Sequence, residues 1–140
     1  MPHLGRLTRL VEYFAKRQTE ATITGISLIG GAANYNGRLN GLPTSSFAPE
    51  SVVITVRTTA GVLNQNAQIQ IGTTNGGAEL MAAFVLTGLI GVGTKHVVNF
   101  NGPVPDIDGN ALLYVRMTSA DTSGFASTAD VSIVGRQVTP

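Results

Sequence analysis

The chain has 140 residues, of which 43% are hydrophobic and only 12% charged, with a formal net charge of +1. That length suits one domain with its own core and is too short for two comfortable ones. The charged fraction is about half the ~25% of ordinary soluble domains, so Thr, Ser, Asn, Gln and Gly must build the polar surface. Such a surface sets up little repulsion between copies. It fits a protein packed against neighbours, and equally a stable β-protein that is simply neutral. There is no cysteine, which excludes disulfides and thiolate metal sites.

Residues 1–6 lead into an amphipathic segment instead of the apolar core of a secretory signal. The longest apolar run, residues 80–92, is broken by Thr87, Gly88 and Gly91 and falls short of the ~20 residues that span a bilayer. The expectation is a chain made and kept in the cytoplasm, or leaving it by a route other than signal-directed export.

The first element is an amphipathic helix over about residues 5–18. Leu4, Leu7, Leu10, Val11 and Phe14 recur at three- and four-residue spacing and form one apolar stripe. Arg6, Arg9, Tyr13, Lys16 and Arg17 take the other faces, and Glu12 and Lys16 make a favourable i,i+4 pair. The stripe either docks on the chain's own sheets or contacts a partner. Residues 1–20 are thus read as a basic helical arm and residues 21–140 as a β-domain.

After Thr19 the chain reads as strand and turn. Thr22–Ile29 alternates hydroxyl and apolar residues until Gly30-Gly31. Residues 51–59 are rich in β-branched side chains. In Ala67-Gln68-Ile69-Gln70-Ile71 the period is two, with the apolar residues facing one way and the glutamines the other. Residues 80–89 fit strand or helix, and the glycines and Val85 favour strand. Residues 95–100, 111–118 and 127–134 complete the set, with Ala129, Val131 and Ile133 pointing inward. Asn36-Gly37, Asn40-Gly41, Asn75-Gly76-Gly77, Asn101-Gly102-Pro103 and Asp108-Gly109 supply turn chemistry. Short strands separated by such turns indicate an all-β sandwich or barrel, and the fold expected is an antiparallel β-sandwich with an N-terminal helix. Residues 30–49 stand out as one long loop holding Tyr35, Leu39, Leu42 and Phe47, and loops of that length in compact domains usually serve function.

No motif carries catalysis. His3 and His96 lack a second ligand at metal spacing and any neighbouring nucleophile signature. The run Gly88–Lys95 has Thr before Lys and no following helix, which fails the phosphate-loop pattern; a tight turn or bulge is the better reading. Asp106-Ile107-Asp108-Gly109-Asn110 opens like a calcium loop but lacks the later glutamate and the flanking helices, leaving at most a weak Ca²⁺ site at Asp106 and Asp108. The acidic residues are scattered, and no pair can be placed at glycosidase spacing. The basic group Arg6, Arg9, Lys16 and Arg17 is unsupported by a basic stripe elsewhere, which argues against nucleic acid, and membrane-surface binding ranks lower still. The expectations are no enzyme activity and no cofactor.

Three stretches carry a family resemblance: Ile69–Thr74 (IQIGTT), Val115–Ala120 (VRMTSA) and Ala129–Gly135 (ADVSIVG). In that order they resemble the capsid decoration (cement) proteins of tailed bacteriophages and related virion β-sandwich modules, over roughly the C-terminal two-thirds of the chain. The resemblance implies a jelly-roll-like sandwich, a homotrimer, and a place in the virion where major capsid subunits meet. It brings no catalytic residues. Candidate partner contacts are Arg6, Leu7, Arg9, Leu10, Val11, Phe14 and Arg17 of the arm and Tyr35, Leu39, Leu42 and Phe47 of the loop. The competing expectations are a receptor- or glycan-binding module of a tail or spike, weakened by the lack of Trp, and a small hydrolase.

Overall fold

The computed structural model describes residues 17–100 and 107–138. They form nine strands: β1 (Arg17–Ser27), β2 (Ala33–Arg38), β3 (Ser46–Thr59), β4 (Gln68–Gly72), β5 (Met81–Val85), β6 (Lys95–Asn99), β7 (Ile107–Asp108), β8 (Leu112–Ser119) and β9 (Ser127–Val138). The all-β expectation holds, and every pairing is antiparallel.

One sheet has the order β1-β9-β3-β6, with β7 added to β3; the other has the order β2-β8-β4-β5. The pairs are nested: β1 with β9, β2 with β8, β3 with β6 and β4 with β5. A long hairpin gives that pattern when it is rolled up on itself. Alternation then decides which side chains meet. Ile23, Val52, Ile54, Val131 and Ile133 of the first sheet join Ile69, Ile71, Leu113, Val115 and Met117 of the second in a single core. Each buried aliphatic side chain of this size is worth about 1.5–3 kcal/mol.

The roll closes on both sides. Between β1 and β2 the Asn40 N–H donates to the Glu20 carbonyl at 3.2 Å, and the Glu20 N–H donates to Asn40 Oδ1 at 3.0 Å. Between β5 and β6 the Phe84 and His96 rings stack with centroids 6.0 Å apart. His96 Nδ1 lies 2.7 Å from the Thr87 carbonyl, an arrangement that places the proton on Nδ1.

Several expectations change. The helical arm, with Leu7, Leu10, Val11, Phe14, Arg6 and Arg9, lies outside the described residues up to position 16. Arg17 and Gln18, assigned to its end, are strand and pair with Gln137 and Arg136, so β-structure begins ahead of the boundary drawn at residue 20. The single long loop 30–49 is not observed. It contains β2 and the start of β3. Asn36-Gly37 does not turn there: Gly37 is within β2, and a Cβ on it would lie 2.7 Å from Ile23 Cγ1. Its missing side chain lets β2 approach β1.

Strand β1 shows how a bulge rescues alternation. Ala21 and Ile23 are buried, as are Ile26 and Leu28, and the two pairs are out of phase by one residue. The register shifts between Ile23 and Ile26, where Gly25 adopts φ +70° and its N–H donates to Asp130 Oδ1 at 3.0 Å. A glycine in that conformation costs nothing sterically and re-aims the remaining strand at the core.

Candidate functional site

Nested pairing gathers the β1–β2, β3–β4, β5–β6 and β8–β9 connections at one end of the roll. The Asp121 N–H donates to the Leu28 carbonyl (2.7 Å), the Ala60 N–H to Ala126 (2.9 Å), the Leu63 N–H to Ile90 (3.2 Å) and the Leu86 N–H to Ala67 (2.8 Å). Four connections therefore form one bonded surface.

The residues 64–66 are its hub. Asn64 and Asn66 each donate a side-chain N–H to Thr122 Oγ1, at 3.0 and 2.6 Å, and the Thr122 N–H returns to Asn66 Oδ1 at 3.0 Å. Gln65 reaches the other way, its Oε1 accepting the Gly88 N–H at 2.8 Å. Gln65 sits at φ +60°, the only positive φ of a non-glycine residue among those described. Such a backbone costs of order 1 kcal/mol or more and persists where surrounding contacts over-determine it.

Asp121 anchors the hub. It is 4% exposed, and its carboxylate accepts the N–H groups of Asn64 (3.1 Å), Asn66 (3.4 Å) and Ser123 (3.0 Å). Burial pushes its pKa up, but the hydrogen bonds from Ser123, Asn64 and Asn66 outweigh that, and the carboxyl ends below its ordinary range.

Above this polar scaffold the surface is apolar. Val62 is 71% exposed, Val92 66%, Ile90 44% and Phe125 43%. They lie on connected loops: the Phe125 ring lies over Gly61, where a Cβ would come within 2.8 Å of it, and the N–H of Leu63, next to Val62, donates to the Ile90 carbonyl. Residues 60–66, 88–93 and 122–126 contain no Asp, Glu, Lys or Arg. Asp121, beside them, is buried with its oxygens engaged. This end is a braced, uncharged, apolar platform.

Most residues singled out from the sequence belong elsewhere. Leu39 and Phe47, 2% and 1% exposed, are core, because β2 and β3 turn them inward, so neither is free to touch a partner. Tyr35 is half-buried, and its hydroxyl accepts the Ser27 N–H at 3.1 Å. Tyr35→Phe would leave that N–H unpaired and is expected to cost about 1–2 kcal/mol, read as a lowered thermal midpoint. Leu42 is 47% exposed in the β2–β3 turn at the opposite end from the platform. Arg17 lies in β1, and its side chain is outside the described residues. Asp108 is exposed on β7, while Asp106 lies outside the described residues; among those described, no three His, Asp or Glu side chains converge as metal ligands would. No helix among the described residues is long and apolar enough to cross a membrane.

The run Gly88–Lys95 is a turn, as expected, with Gly88 and Gly93 at φ +78° and +82° and Thr94 Oγ1 donating to the Gly91 carbonyl at 2.6 Å. Its role in the platform was missed, as were Val62, Phe125 and the 64–66 hub. A signal does exist in the chain. Gly61-Val62, Ile90-Gly91-Val92-Gly93 and Gly124-Phe125 place large apolar residues beside glycines, in turns where a core cannot take them.

No protein-family model and no curated protein sequence matches this chain. The fold has solved counterparts. A chain of the cyanophage Pam1 capsid asymmetric unit superposes with a TM-score of 0.55 and 13% identity, over 91% of this chain and 88% of that one. The crystal structure of FLHE gives a TM-score of 0.48 and 13% identity, over 90% of this chain and 99% of that one. At such identity the Pam1 likeness is one of fold.

Proposed function

We propose that this chain is a structural protein of a phage-type virion and, within that class, a decoration protein that binds between major capsid subunits and stabilises the shell as a homotrimer. The observation that carries the reading is the platform: an exposed apolar surface braced by a buried carboxylate and free of charge, on a roll whose nested strand order is the jelly-roll connectivity. Exposed contiguous apolar surface marks a contact site. The fold likeness to the Pam1 capsid chain supports the setting. The chain is assembled in the host cytoplasm and resides in the capsid on this reading.

The role is non-enzymatic. Among the described residues, the two carboxylates with displaced pKa values are occupied structurally. Glu79 is held below its ordinary range first by the Thr74 hydroxyl, with backbone N–H groups of its own turn adding to it. Asp121 is engaged as described above.

Gradient-purified particles from producing cells should contain this chain in fixed ratio to the major capsid protein. Adding the purified chain to particles stripped of it should raise the temperature at which the shell opens. Absence of the chain from purified particles would overturn the reading. A receptor- or glycan-binding role would use the outer face of the second sheet, where Asn34, Asn36, Tyr114 and Arg116 lie together. Arg116 is already committed to Asn34 Oδ1 at 3.0 Å, which makes that face the lesser candidate.

A further inference from the structure

We infer that Asn75 is a site of spontaneous covalent modification, where attack by the Gly76 backbone nitrogen converts the side-chain amide to aspartate and isoaspartate. Asn36 and Asn40, each also followed by glycine, are protected from the same reaction by the fold. The site is independent of the structural role proposed above.

An Asn-Gly pair favours this chemistry because glycine has no side chain to shield its nitrogen from the preceding carboxamide. The chain has four such pairs, at 36–37, 40–41, 75–76 and 101–102, the last outside the described residues. The deprotonated Gly76 nitrogen adds to Asn75 Cγ. A bond from Cγ to that nitrogen forms as the bond to the carboxamide nitrogen breaks, and the latter leaves as ammonia, taking up the displaced proton. One water then opens the cyclic imide at either carbonyl, its hydroxyl going to carbon and its hydrogen to nitrogen. One opening gives aspartate and the other isoaspartate. No oxidant or reductant is consumed.

The three described pairs differ in what the reaction must undo. Gly37 stands opposite Leu113 in the β2–β8 ladder, in the phase of Leu39, whose N–H donates to the Ala111 carbonyl at 2.9 Å. Its N–H therefore faces β8, and attack would open the strand. Asn40 is held to β1 twice, by its N–H on the Glu20 carbonyl and its Oδ1 on the Glu20 N–H. Gly41 behind it is packed against Gln137 and Gly109.

Asn75 has neither restraint. It is exposed, and among the described residues no hydrogen bond engages its carboxamide or the Gly76 N–H. It is the second residue of a turn in which the Gly77 N–H donates to the Thr74 carbonyl at 2.9 Å and Gly76 sits at φ +77°, a type II arrangement. The loop is anchored on either side. Gln70 Nε2 donates to the Gly76 and Gly77 carbonyls at 2.8 and 3.2 Å, and the Glu79 carboxylate accepts the Thr73 N–H at 3.0 Å and the Thr74 hydroxyl. The peptide between residues 75 and 76 can thus swing its nitrogen toward Cγ without losing any of these bonds.

The product changes the outer face of the second sheet. A Cβ on Gly76 would lie 3.6 Å from Arg116 Nη1, so the new carboxylate arises close to that guanidinium, and it cancels the formal net charge of +1. Isoaspartate also adds a carbon to the backbone inside the turn, which upsets the spacing of the Gly77–Thr74 bond.

The test is a time course on the purified full chain in mildly alkaline buffer, read by peptide mass mapping that separates aspartate from isoaspartate, with a parallel sample unfolded in urea. In the folded chain, conversion at Asn75 should run at least about tenfold faster than at Asn36 or Asn40, since opening a strand or a packed turn adds to the barrier. In urea the three rates should converge. The Asn75 rate should also rise with pH, as attack by a deprotonated nitrogen requires. An Asn75 that stays intact while the chain is folded would refute the site. So would a folded chain in which Asn36 or Asn40 converts as fast as Asn75.

Discussion

Asp121→Ala is expected to lower stability by about 2–4 kcal/mol, a fall in thermal midpoint on the order of 10 °C. Three backbone N–H groups, those of Asn64, Asn66 and Ser123, lose their acceptor together. They belong to two different loops, so no single local rearrangement re-satisfies them. Asp108→Ala, at an exposed carboxylate, should change stability by no more than about 0.5 kcal/mol and serves as the comparison. Equilibrium denaturation of the three proteins checks the difference.

The same carboxylate makes a signed prediction about pH. Its pKa in the folded chain is below the ~3.9 of an unfolded aspartate. The stabilisation it contributes is therefore complete above about pH 4 and is lost as pH falls through the folded value. Asp121→Asn should be less stable than wild type at neutral pH, with the gap narrowing in acid. A gap that stayed constant from pH 7 to pH 2 would mean that the ionised carboxylate does not hold the loops.

Gly135→Ala is the second large effect, expected at about 3 kcal/mol or more, because one methyl has no place to go. Gly135 is buried in β9, between Thr19 of β1 and Pro49 of β3. A Cβ there would run into the Ala48 carbonyl oxygen and come within 2.7 Å of Pro49 Cα. These are backbone atoms of a central strand pair and cannot swing aside as a side-chain end would. The cause lies in β3, whose register shifts between Pro49 and Ser51. Proline gives no N–H to a ladder, and a bulge is where a sheet interior tolerates it. Glycine opposite makes room for the bulge. A thermal midpoint for Gly135→Ala close to wild type would show that β9 can shift at this point.

That Pro49–Gly135 crossing also explains where sequence reading stopped short. Local pattern placed the strand at 51–59, on its β-branched residues; the observed β3 begins at Ser46 and runs through Pro49. A residue eighty-six positions away (135 − 49) makes this workable, and no local window contains both. The same holds for β2. Asn36-Gly37 is a turn pair by composition, yet the ladder with β8 and the close approach of Ile23 keep it in a strand. Tyr35, Leu39 and Phe47 then changed meaning from partner contacts to packing, since burial is a property of the whole roll.

By itself the sequence determined the β-structure that follows Thr19, its low charge and lack of cysteine, the inward phase of β4 and β9, and the turn character of the Gly88–Lys95 connection. Side-chain alternation and φ preference are local physics and can be read from neighbours. Only the tertiary structure decided the nested order of the strands and, with it, which connections share an end. Val62, the Ile90–Val92 turn and Phe125 are far apart along the chain and come to the same end of the roll because β3, β5 and β8 all finish there. Asp121 has one N–H partner, Ser123, within its own loop, but the other two, Asn64 and Asn66, come into reach only when the β3–β4 loop is stacked beside it.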